Sequence, residues 1–188
     1  MSAPTVDRMN PYPIHTIDSA PEGSRQALAG LRQALGLVPN LAATMAASPP
    51  LLNCFVTAFG QFAGGGFTGG ERQTLLLSNA VANASAWPVA FHSTLALKEG
   101  VDPADVAAIR RGGLPVDPRL AALSVLTRAL IDKRGALDEA DLKAFTAAEL
   151  LEVVTGIAIS TMANYTANVA RPPLEEPFRA QAWTAGGY

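Results

Sequence analysis

The sequence is short of sulfur, charge and aromatic rings. It has one cysteine, Cys54, among 188 residues, so no disulfide can close within the chain. Its two histidines, His15 and His92, lie far apart, so no zinc site is expected and no metal or other cofactor is called for. Charged residues make up 16% and hydrophobic residues 49%. So little charge is unusual for the solvated surface of a small monomer, and extra burial against copies of itself is expected. Basic residues nowhere run beyond a pair, and the net charge is −2. Nucleic-acid binding therefore has no electrostatic support. No apolar stretch is long enough to span a bilayer, and Met1 to Asn10 lacks an apolar signal core. No membrane partner is expected, and the cytoplasm is the default location. Runs that alternate with period two are also missing, which removes the basis for strands.

What is present is helical. One domain is expected over 1–188, with a helical core at about 24–170, an extended proline-bearing arm at 1–20 and a proline-interrupted tail at 171–188. Leu28, Leu31 and Leu35 recur at helical spacing and Gly36 follows as a stop, which predicts a helix over Ser24–Leu35. Pro39 opens a short helix to Ala47, and Pro49-Pro50 opens another to Ala63. Gly64-Gly65-Gly66 lacks the lysine and the preceding strand of a phosphate loop and reads as a linker. Thr68 and Glu71 form a capping box before a helix to Ala82. A break at Asn83–Pro88 precedes a helix to Glu99, with Ser85 expected as its N-cap. Asp102-Pro103 starts the next, where Arg110-Arg111 suits a helix C-terminus. Helices over Arg119–Lys133 and Asp138–Phe145 follow. Thr146 and Glu149 make a second capping box, and the helix to Ala170 is apolar nearly all round, as a central or interface helix would be. The fold class is all-α. Cys54, inside the apolar run Leu51–Val56, is expected to be a buried, inert thiol.

The stretch Glu71–Gly100 carries the chemistry-bearing pattern: an acidic helix start, a short break, then Ser85-Ala86-Trp87-Pro88 and His92 on the next helix. This resembles the signature of the carboxymuconolactone decarboxylase / alkylhydroperoxidase-D-like (AhpD-like) family. There a Cys-x-x-Cys pair opens the second helix and a histidine stands four residues after the second cysteine. Gly36-Leu37-Val38-Pro39-Asn40 is similar to an upstream segment of many members, so the resemblance covers about residues 25–172. Aligned on His92, the two cysteine positions hold Ser85 and Pro88, and the relay glutamate position holds Gln73. The resemblance implies an oligomeric helical bundle, a trimer or hexamer, with a site near a subunit interface and proline-rich ends that wrap a neighbour.

The substitutions remove the starting atoms of thiol chemistry. Peroxide reduction needs a thiolate to attack and a second thiol to resolve the sulfenate. Serine and proline offer neither, and Gln73 does not titrate near neutral pH. Without thiol peroxidase or other alkylhydroperoxidase-type antioxidant activity, two readings of His92 stand side by side. In one it is a catalytic acid or base for cofactor-free, lyase-type proton transfer on a small organic acid or lactone, as the decarboxylase branch implies. In the other it is a buried histidine bonding Gln73 or a backbone group in a non-catalytic small-molecule-binding or structural relative. Glu71 reads as a capping residue, since two positions on a helix turn it about 200° from Gln73. Trp87, Asn164, Tyr165 and Asn168 complete the candidate pocket set, with packing for Trp87 and interhelical bonding for the last three as the simpler roles.

Overall fold

The computed structural model describes residues 11–186. Among them there are helices and no strands, so the chain is all-α. Helix α1 spans Glu22–Leu35 and ends at Gly36, whose φ of 77° gives the left-handed cap that only glycine adopts without strain. Helix α2 (Asn40–Met45) is short, and α3 (Pro49–Ala63) carries proline in its first turn, where no N–H is needed. Helices α4 (Gly69–Ala82) and α5 (Ala86–Lys98) form the hairpin that the signature predicted. Helix α6 covers Pro103–Arg110, α7 Pro118–Asp132, α8 Glu139–Leu142 and α9 Ala147–Ala170, and a 3-10 turn follows at Glu176–Gln181. The element at 138–145 is shorter than its sequence suggests: its capping box forms, but nothing in it is buried to extend it.

Helix α4 is central. It packs against α5, α7, α6 and α9, and it is buried without interruption from Gln73 to Ala80. Helix α9 lies close on it at Gly156, where an added Cβ would fall 2.7 Å from a Leu75 methyl. Leu75, Leu76, Leu123, Leu126, Val153 and Ile159 fill one core, and Leu28, Met45, Leu52, Trp87, Phe91 and Phe178 fill another beneath α1, α2 and α3. No helix among the described residues is long and apolar enough to cross a membrane.

One expectation is corrected. Cys54 is exposed, because the face of α3 that turns inward carries Leu52 and Phe62 instead. Its helix packs on α1, α2 and α9, and the recorded bond of His92 is to Gln73. The described parts of the ends also pack on their own chain. In the arm, the first ten residues of which lie outside the described range, the His15 N–H donates to Ala43 O at 3.2 Å. In the tail, Phe178 packs against Trp87 and Phe91 on α5.

Candidate functional site

Helix α5 begins where α4 ends, across a turn in which Ala84 takes a φ of 48°. The turn is closed by Ser85 N–H to Ala80 O at 3.0 Å. Ser85, Pro88 and His92 then fall at positions i, i+3 and i+7 of α5, on one face. Pro88 sits in the first turn, so its missing N–H leaves the helix ladder intact, and the first bond runs from Val89 N–H to Ser85 O.

Ser85 occupies the N-cap position, but its hydroxyl caps nothing on its own helix. It is fully buried and donates to Asn164 O on α9 at 3.2 Å. The expected capping role is overturned because α9 supplies an acceptor across the interior. A hydroxyl spent in this way is not aimed at His92. Ser85 and Pro88 are thus a buried, bonded serine and a buried proline.

His92 is 6% exposed, and its Nδ1 lies 2.9 Å from Gln73 Oε1. An amide oxygen accepts, so Nδ1 carries the proton and the lone pair is at Nε2. Burial pushes the imidazole pKa from its ordinary 6.5 down to about 3, since the cation would lose its hydration. The ring is therefore neutral across the physiological range. Phe91 presents its ring to His92 at 5.1 Å and 79°, while Trp87 stacks on Phe91 at 5.1 Å and 18°. Trp87 is thus packed, and its indole N–H donates to Glu175 Oε2 at 2.9 Å. Glu175 also accepts the Asn40 N–H, and the Asn40 side chain donates to Pro173 O at 2.9 Å. These bonds fix the tail to the Gly36–Asn40 segment and to the start of α5.

The remaining candidates divide. Glu71 closes the predicted capping box with Thr68 and bonds Arg119 Nε at 2.7 Å. Burial works to raise its pKa, but the bonds from Arg119 and Thr68 outweigh it and hold the carboxyl below its ordinary value. It is one end of a surface network in which Arg119 also bridges to Glu149 at the start of α9. Asn164 donates to Asn79 Oδ1 at 2.8 Å, and Asn168 donates to Asn83 O at 2.9 Å. Tyr165 points away and is exposed. Asn79 and Asn83 are the residues that the sequence reading missed. Their spacing of four on α4 matches that of Asn164 and Asn168 on α9, which was the available signal. Four further buried polar atoms have no partner among the described residues: Thr74 Oγ1 and Asn79 Nδ2 on α4, Ser160 Oγ and Asn164 Oδ1 on α9.

The fold has close matches among solved structures. A peroxidase-related protein from Ralstonia eutropha JMP134, described as an alkylhydroperoxidase AhpD core, superposes with a TM-score of 0.78, covering 89% of this chain and 93% of its own at 22% identity. An uncharacterized peroxidase-related protein from Silicibacter sp. TM1040 gives a TM-score of 0.74 over 96% and 98% at 17% identity. The chain has the AhpD-like fold. The debrominase Bmp8, as a variant in complex with 2,3,4-tribromopyrrole, shares it with a TM-score of 0.73 over 93% and 96% at 18% identity. No family model and no curated protein matches the sequence. At these identities the likeness extends to the AhpD-like fold and not to any one chemistry.

Proposed function

We propose that this AhpD-like chain is a cofactor-free enzyme of lyase type, in which His92 moves a proton on a small organic acid or lactone, and that it is not a thiol peroxidase. The observation that carries the reading is the state of His92. It is buried and neutral, with Nδ1 tied to Gln73 and no hydrogen-bond partner for Nε2 among the described residues. Such a ring is fixed in the tautomer that accepts a proton at Nε2.

The low pKa supports one order of events and favours an acidic substrate. At pH 7 an imidazole of pKa about 3 is charged in roughly one molecule in ten thousand, so His92 cannot act first as an acid. It must take a proton before it returns one. A neutral substrate would meet a weak base. A substrate carboxylate beside the ring would stabilise the imidazolium and restore its basicity, which favours an acid. Gln73 holds the ring through either half-step, because an amide oxygen accepts from Nδ1 in both charge states. The complex of Bmp8 with 2,3,4-tribromopyrrole supports a ligand of one small ring for this fold.

A second reading, a non-catalytic relative, is favoured by the filling of α5's start with Trp87, Phe91 and Phe178 and by the spent hydroxyl of Ser85. The test is a panel of small lactones and carboxylic acids with the wild type and His92→Ala. Turnover that disappears in the variant while its melting temperature holds supports the lyase. Ligand binding with no turnover supports the second reading. Peroxide consumption with a dithiol reductant, well above that of Cys54→Ser, would contradict both.

A further inference from the structure

A cleft lies away from the hairpin that carries His92, and none of its lining residues belongs to α4 or α5. Arm residues 14–18, the last turn of α1 and the segment leading into α2 enclose about 380 Å³, a volume within the range of small-molecule sites. The arm wall is tied down. The His15 N–H donates to Ala43 O at 3.2 Å, and its ring donates from Nδ1 to Ser19 O at 3.1 Å. The Thr16 N–H donates to Ser19 Oγ at 2.9 Å, and the Ser19 N–H returns a bond to Thr16 Oγ1 at 3.1 Å. A ligand would therefore meet a wall that is already ordered.

The lining is of two kinds. Ile14, Ile17, Val38 and Ala43 make an apolar part, with Ile14 42% exposed. Arg32 and Asp18 add one charge of each sign. Among the described residues, neither of these two side chains has a hydrogen bond or an ion pair, with the other or with any third group. Opposite charges that share a cleft without meeting leave room between them for a group that carries both signs.

We infer that this cleft binds a zwitterionic α-amino acid with an apolar side chain, of the leucine or phenylalanine kind. Arg32 takes the carboxylate, Asp18 takes the ammonium, and the side chain lies against the apolar part. The guanidinium is a planar fork of donors that fits a carboxylate at two points, and the Asp18 carboxylate offers only acceptors, which suits an ammonium. A simple carboxylic acid would face the Asp18 charge and a simple amine the Arg32 charge, like sign against like. An amino acid satisfies both. A charged side chain on it would lose its hydration against the two isoleucines, so an apolar one is selected. The site does not depend on the role of His92.

Titration with L-leucine, followed by nuclear magnetic resonance of the two imidazoles, tests this. The His15 signals are expected to move and those of His92 to stay. Isocaproate and isoamylamine, which are leucine without its ammonium and without its carboxylate, should each bind about tenfold more weakly, as the loss of one charge-assisted hydrogen bond requires. Arg32→Gln and Asp18→Asn should each weaken leucine by a similar factor. On the two probes they should diverge: Asp18→Asn should tighten isocaproate, and Arg32→Gln should tighten isoamylamine, because each removes a repulsion. Both side chains are exposed, and unchanged circular dichroism checks the fold of the variants. No shift with leucine at millimolar concentration, a shift of His92 in place of His15, either probe binding as tightly as leucine, or full affinity for leucine in either variant would overturn the assignment.

Discussion

Helices α4 and α5 follow one another, yet they begin in opposite ways. At α4 the orphan N–H groups are met locally: the Thr68 hydroxyl accepts from the Glu71 N–H at 3.3 Å, and the Glu71 carboxylate accepts from the Thr68 N–H at 2.8 Å. At α5 the residue in the same position, Ser85, turns its hydroxyl away from its own helix toward α9. The difference is solvent. A helix start at the surface can be completed from within four residues, and Arg119 only reinforces it. A buried start is placed by what lies opposite, and its polar groups serve the tertiary contact first.

The largest effect that would break this contrast lies in the seam beneath α5. Asn79→Ala removes the acceptor used by both Asn164 and Asn83 and leaves a buried amide unpaired. It is expected to cost about 3 kcal/mol in urea unfolding. A loss below 1 kcal/mol would mean that the seam is solvated.

Next is the pH dependence. A pKa lowered in the fold means that the unfolded chain binds the proton of His92 first. Stability should then fall as pH drops below about 6.5, by about 1.4 kcal/mol per pH unit from this residue, until the folded ring titrates near 3. Glu71, with its pKa also lowered, adds a loss that begins only near its ordinary value of 4.5. His92→Gln should therefore flatten the denaturation profile between about pH 6.5 and 5 and leave the steeper acid limb. An unchanged slope between those limits would show that the ring is not held neutral.

The two serine-like caps should differ in kind more than in size. Thr68→Ala and Ser85→Ala are each expected to cost about 1 kcal/mol. In hydrogen exchange the first should loosen only the first turn of α4, whereas the second should loosen α9 around Asn164. Loss confined to the first turn of α5 in Ser85→Ala would restore the cap reading. The smallest effect concerns the turn between the two helices. Ala84→Gly removes the strain of a positive φ but adds unfolded-state freedom, for a net gain of roughly 0.5 kcal/mol.

Legibility followed the same division. The capping boxes at Thr68 and Thr146, the stop at Gly36 and the aspartate cap before Pro103 were readable, because each is closed by residues within four positions. The partner of Ser85, the Asn79–Asn164 bond and the exposure of Cys54 were not readable. Each depends on which face of one helix meets another, and an apolar helix such as α3 does not declare its inward side. The tail was hidden for the same reason: only the fold brings Glu175 to Trp87 and Asn40.

The protonation state of His92 bears most directly on the proposed proton transfer, and nuclear magnetic resonance of the nitrogen-labelled chain reads it. A neutral ring protonated at Nδ1, unchanged from about pH 8 to pH 5, is the predicted result. An imidazolium signal rising with a midpoint near 6.5, or a neutral ring protonated at Nε2, would contradict the account, because the nitrogen that must accept the proton would already hold one.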